Sequence, residues 1–163
     1  MELTVPYQQT LKITGKNGHV LFSPQTADDA KIIILDDASD SSFDDDVLCI
    51  YGPGEYEAGG IIVKGNRQEG STKYEIDNGE GRALHVLSDS IAKLTDEDDF
   101  DVVIVKANGP LEESQLTSIS SGIIVVYGEE GNIPEKIKEN KVTKVTLRKK
   151  EELPANIVYL VKK

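Results

Sequence analysis

The first chemistry the sequence offers is that of carboxylates. From Asp36 to Asp46 it reads DDASDSSFDDD, six aspartates in eleven residues with no basic side chain among them. Crowded carboxylates repel one another, so a divalent cation would relieve an electrostatic cost. Asp36, Asp37 and Asp40 are hard oxygen donors of the kind magnesium and calcium take. The segment lacks the central glycine and closing glutamate of a helix-loop-helix calcium loop. A solvated acidic loop, a weak cation site and a structured metal centre all fit these residues, the first most simply.

Imidazole is scarce. The chain has two histidines, His19 and His85. His19 follows Asn17-Gly18 at a turn and is expected at the surface. His85 opens His85-Val86-Leu87-Ser88-Asp89, which could bring it near Asp89 at a strand end. A structural zinc site takes about four nitrogen or sulfur ligands and a catalytic one about three plus water. Neither histidine is therefore expected to bind metal. The single cysteine, Cys49, excludes an internal disulfide and a thiolate cluster. Its apolar neighbours in Val47-Leu48-Cys49-Ile50-Tyr51 point to packing.

Covalent and phosphate-binding chemistry leave no trace. No serine stands in a Gly-x-Ser-x-Gly elbow. The glycine-dense run Gly52-Pro53-Gly54-Glu55-Tyr56-Glu57-Ala58-Gly59-Gly60 lacks the P-loop lysine and the dinucleotide spacing. It reads as a tight strand connection, since glycine permits positive φ and proline fixes one φ. In an extended stretch Glu55 and Glu57 would point one way and Tyr56 the other.

Short apolar runs must position these groups. Leu3 to Val5, Thr10 to Ile13 and Val20 to Phe22 form an opening meander, with Gly15-Lys16-Asn17-Gly18 as a turn. Lys31 to Leu35, Val102 to Val105 and Ile123 to Tyr127 are β-branched runs that predict strands buried on both faces, which require covering layers. Ile61 to Lys64, Thr72 to Ile76 and Arg82 to Leu87 read as half-exposed strands. Helix signals are few: Ser114 to Ser120, and a turn opening at Pro134. Lys144 to Leu147 and Ile157 to Val161 close the chain as strands. Length suits one domain over residues 1–163.

With 18 basic against 29 acidic residues, the formal net charge is −11. Such a field repels phosphate backbones and anionic lipid, so neither nucleic acid nor membrane is an expected partner. No leader-like segment and no apolar stretch of membrane-spanning length is present, and the cytoplasm is the expected location. Positive charge gathers at Lys136, Lys138, Lys141, Lys144, Arg148, Lys149 and Lys150. That asymmetry suits self-association or an acidic protein partner, although a solvated surface laced by salt bridges is the simpler reading.

One run is too particular for composition alone. IYGPGEYEAGGIIVKG, Ile50 to Gly65, resembles the GPGEYEVKGI.V.G segment of the metallo-β-lactamase superfamily, in its small branch of zinc-dependent hydrolases similar to ascorbate-6-phosphate lactonase. Leu3-Thr4-Val5, Leu11-Lys12-Ile13 and Leu21-Phe22-Ser23-Pro24 resemble that branch's opening strands. His85 to Asp89 resembles its H.GD strand end, and Leu94-Thr95-Asp96-Glu97 its LTDE stretch. The likeness is clearest over residues 3–128. It implies an α/β (α+β) fold: a metallo-β-lactamase-like αββα sandwich, here shortened and β-rich, with metals at one edge.

The resemblance also implies a ligand set that this chain lacks. Where a His-x-His-x-Asp-His motif is due, Asp36-Asp37-Ala38-Ser39-Asp40-Ser41 stands, and only Asp40 matches. Asn66-Arg67-Gln68-Glu69 replaces the next histidine, and Tyr127-Gly128 the last. Asp89 matches the bridging aspartate. Asp36, Asp40 and Asp89 are thus the metal candidates, able to hold a hard divalent ion better than zinc. No cofactor is expected beyond a weakly held divalent cation. The leading expectation is a non-catalytic fold with a structural or protein-interaction role. A divalent-metal-dependent hydrolase with a carboxylate-based site and a small-molecule or ion-binding module without turnover are the alternatives.

Overall fold

Alternating and continuous apolar runs sort into two β-sheets that share one core. The computed structural model describes residues 1–36, 43–44, 46–94 and 99–163. In chain order the strands are β1 (Glu2–Tyr7), β2 (Thr10–Gly15), β3 (Gly18–Phe22), β4 (Ile32–Ile34), β5 (Leu48–Ile50), β6 (Gly54–Ala58) and β7 (Ile61–Gln68). There follow β8 (Ser71–Asp77), β9 (Arg82–Leu87), β10 (Val102–Ala107), β11 (Ile124–Gly128), β12 (Lys141–Val142), β13 (Val145–Thr146) and β14 (Ile157–Leu160). Two short helices, α1 (Glu113–Thr117) and α2 (Glu135–Lys138), complete the regular elements used below.

The smaller sheet runs β13-β1-β2-β3-β4-β5 and the larger β12-β14-β11-β10-β9-β8-β7-β6. Strands β1 to β3 pair antiparallel, and β3, β4 and β5 run parallel. In the larger sheet β6 to β9 form an antiparallel meander, after which β9, β10, β11, β14 and β12 are parallel. The chain passes between the sheets three times, and two of these crossings join edge strand to edge strand. Tyr51, Gly52 and Pro53 carry the chain from β5 to β6, and Thr143 and Lys144 carry it from β12 to β13.

The inner faces bury Leu3, Ile13, Phe22, Ile32, Val63, Ile76, Ile104 and Tyr127 against one another. On the outer face of the larger sheet, Leu84, Val86, Val103, Val105 and Val126 pack beneath Leu116 of α1 and Ile137 of α2. On the outer face of the smaller sheet, Leu21, Ile33 and Leu35, beside Cys49 of β5, are covered by Ala27, Ala30, Phe43 and Val47. Short irregular segments do there what helices do opposite. This is the β-rich, shortened α+β sandwich expected from the sequence.

The strands β4, β10 and β11 are buried on both faces, as their apolar runs predict. Strand β9 departs from expectation: Ala83, Leu84, His85 and Val86 are all buried. Its polar residues suggest a half-exposed strand, yet β9 lies beside β10 in the middle of the larger sheet and is covered from both sides. The predicted closing strand from Lys144 shrinks to Val145–Thr146, and a 3-10 turn over Leu147–Glu152 follows.

The glycine-rich run acts as the connector expected. Gly59 and Gly60 form the β6–β7 turn at φ of +58° and +86°, a conformation that side chains resist. Gly65 serves differently: a Cβ there would come 2.8 Å from the Gly52 carbonyl oxygen, so its bare backbone lets the crossing lie against β7. Tyr74 holds the same crossing, its hydroxyl accepting the Gly52 N–H at 2.9 Å.

Candidate functional site

The parallel strands β4, β9 and β10 end close together, and just past such carboxyl ends chains commonly place their sites. A cleft of about 460 Å³ opens there. Its wall includes Phe22, Leu35, Tyr51 and Tyr74, and its charged groups among the described residues are Asp36, Arg67 and Lys106.

Lys106 is the unexpected member. It closes the apolar run of β10, where every residue is buried, and its side chain is only 10% exposed. The ammonium lies 3.3 Å from Asp36 Oδ2 and 3.4 Å from Ser23 Oγ. Ser23 in turn donates to Asp36 Oδ2 at 2.9 Å. Three residues spread over 83 positions of sequence thus meet at the ends of β3, β4 and β10. Asp36 itself is largely in solvent, at 67% exposure of its side chain. Sequence reasoning did not single out Lys106. The one available signal was a lone charge ending an apolar parallel strand, as Asp36 ends the run before it.

His85 forms the floor of the cleft. Its ring stacks on Phe22 at 4.0 Å between centroids, and Nε2 pairs with the Tyr127 hydroxyl at 2.7 Å. This corrects the expectation that it sits near Asp89. The pleat turns His85 toward the other sheet, and its partner comes from β11. Burial, aided by the nearby Lys106 charge, pushes its pKa down to about 3, so the ring is neutral. Tyr127 is held well above the ordinary phenol value by burial and by the negative charge of Asp36. Nδ1 of His85 is buried without a partner among the described residues.

Asp89 lies in the turn after β9, exposed, with Asn108 Nδ2 3.4 Å from one oxygen and Ser90 Oγ 3.2 Å from the other. Asp36 and Asp89 thus engage separate partners, and Asp37 and Asp40 lie outside the described residues. His19 is half-buried, against the expectation of an exposed turn residue, with Nε2 2.6 Å from the Asp28 carbonyl oxygen. Glu55 and Glu57 are both exposed on β6, as the strand alternation predicts. Glu55 lies 4.0 Å from Lys64, and Glu57 accepts the Gly60 N–H that closes the hairpin. Cys49 is half-buried and its thiol pKa is raised by burial, in keeping with packing.

These residues do not fit zinc. The one imidazole in the cleft has Nε2 committed to Tyr127, and a cation seated on Asp36 would face the Lys106 ammonium. Among the described residues, no group of three or more His, Cys, Asp or Glu side chains is close enough to hold a metal ion.

No protein-family model and no curated protein sequence matches the chain. Solved structures do. A protein proposed to be a Zn-dependent hydrolase of the metallo-β-lactamase superfamily, from Thermotoga maritima, superposes with a TM-score of 0.69 at 14% identity, covering 99% of this chain and 100% of that one. The metallo-β-lactamase fold protein YhfI from Bacillus subtilis gives 0.56 at 12% identity, over 99% and 96%. What the chain shares with both is architecture: a β-rich α+β sandwich of the metallo-β-lactamase fold.

Proposed function

We propose that this chain is a non-hydrolytic metallo-β-lactamase-fold domain with a structural or protein-interaction role, derived from the ascorbate-6-phosphate-lactonase-like branch that Ile50 to Gly65 resembles. One observation carries the reading: Lys106, nine-tenths covered, sets an ammonium against Asp36, at the strand end where the resemblance implies a metal. A metal centre works by concentrating positive charge that polarises substrate and lowers the pKa of bound water. A fixed ammonium supplies charge but no coordination sites for water. His85, neutral and bonded to Tyr127, acts as a core residue beneath it.

Calorimetric titration of chelator-stripped protein with Zn, Mn, Mg and Ca tests this, together with Asp36→Ala, Asp40→Ala and Asp89→Ala. The expected outcome is no tight stoichiometric binding, and only weak heat that none of the three substitutions removes. Tight binding abolished by these substitutions would overturn the reading and restore a carboxylate-based hydrolase. Self-association is part of the same proposal, and light scattering behind size exclusion reads it directly. A concentration-independent monomer would leave a different protein as the partner.

A further inference from the structure

We infer that the cleft at the ends of β4, β9 and β10 is a binding site for a small organic carboxylate with an apolar body. This goes beyond the reading above, because an acid can be held there with no metal and no hydrolysis.

Charge is the first reason. The protein carries a net charge of −11, yet the described wall of this cleft carries two cations, Arg67 and Lys106, against one anion, Asp36. Most surface lysines of the C-terminal stretch are paired with glutamates, for example Lys136 with Glu113 at 2.8 Å and Lys138 with Glu135 at 2.7 Å. Arg67 is exposed and has no ion pair among the described residues.

The satisfaction of Lys106 is the second. An ammonium has three donors, and a charge-assisted N–H···O contact normally measures about 2.7–2.9 Å. Lys106 has two partners, at 3.3 and 3.4 Å, and none for its third proton among the described residues. A covered cation with long contacts and a spare donor favours an incoming acceptor. Its present partner, Asp36, is well solvated and can yield part of its share at little cost.

Shape and lining supply the class. About 460 Å³ lies within the range of small-molecule sites. Phe22, Leu35, Tyr51, Tyr74 and Leu87 offer apolar and aromatic surface beside the cations. Tyr51 stands 55% exposed at the mouth, a large apolar side chain that a bound ligand would cover. The wall's excess of one positive charge matches a monoanion better than a phosphate dianion. The guanidinium fork of Arg67 suits a planar carboxylate.

The test uses saturation-transfer NMR on chelator-stripped full-length protein, with a panel of aryl and branched alkyl carboxylates, each beside its primary amide, and inorganic phosphate as competitor. Acids should bind saturably and their amides should not. Lys106→Met, which keeps the length of the buried stem, should weaken binding about tenfold or more, the scale of one lost charge-assisted contact. Arg67→Gln, at an exposed position that poses no risk to folding, should weaken it severalfold. Absence of saturable binding by any acid overturns the proposal. So does equal binding of amides, full competition by phosphate, or indifference to both substitutions. None of these results bears on metal titration, so this inference and the preceding reading fail separately.

Discussion

Lys106 and the lysines of the C-terminal surface are the same residue type placed in opposite surroundings. Lys136, Lys141 and Lys144 lie in solvent, each within 3.5 Å of a glutamate. Lys106 is covered, and its carboxylate partner is the exposed member of the pair. Exposed pairs gain little, because water screens the attraction and two long side chains lose freedom. A covered ammonium is different, since lost hydration makes each remaining contact count. Seven basic residues gathered in sequence stand out in a composition, yet the single one at the end of β10 governs the site.

The sharpest way to break this contrast is charge reversal at the covered position. Lys106→Glu sets a carboxylate, with little water, against Asp36, and should cost about 3–5 kcal/mol in urea unfolding followed by far-ultraviolet circular dichroism. A loss below about 1 kcal/mol would mean the position is wetter than its burial indicates.

Acid provides the next largest effect, through His85 beneath Lys106. An unfolded histidine titrates near 6.5, and folded His85 at about 3. Above 6.5 both states carry a neutral ring and stability is insensitive to its titration. As pH falls from 6.5 toward 3, the unfolded chain takes up a proton that the native fold refuses. Stability therefore declines, at about 1.4 kcal/mol per pH unit at the steepest. Subtracting the profile of His85→Gln isolates this residue's share. A His85 ring resonance with a midpoint near 6.5 would refute it.

The smallest effect is expected on the C-terminal surface. Lys136→Gln removes an ion pair whose hydrogen bond to Glu113 raises the lysine pKa, yet the lysine itself is well exposed. The urea midpoint should not move measurably. A clear shift would erase the distinction between the two kinds of lysine.

Much of this was legible in the residues, for reasons that can be stated. Continuous β-branched runs at β4, β10 and β11 leave few options besides doubly covered strands, and the glycine run at Ile50 to Gly65 demands positive φ at the hairpin and close approach at the crossing. The likeness carried by that run led to the fold that the superpositions bear out. Strand β9 was misread because Arg82 and His85 lend it polar character. A histidine that stacks on Phe22 and bonds Tyr127 is a core residue, but both partners are far away in the chain. Lys106 was passed over for the same reason: its meeting with Asp36 spans 70 positions and depends on strand order, which local pattern does not encode. The acidic segment drew attention by composition, but Asp37 and Asp40 lie outside the described residues.

The two short edge-to-edge crossings between the sheets have a mechanical consequence. The edge strands β5 and β6 are joined by three residues, and β12 and β13 by two. The sandwich is therefore laced along both open sides by tethers too short to pay out slack. Neither sheet can slide far past the other without tearing strand ends from their ladders, which closes the shear route that packed layers otherwise use to respond to ligands. Adaptation at the cleft is left to side-chain rotation. The frame beneath should behave as one rigid body.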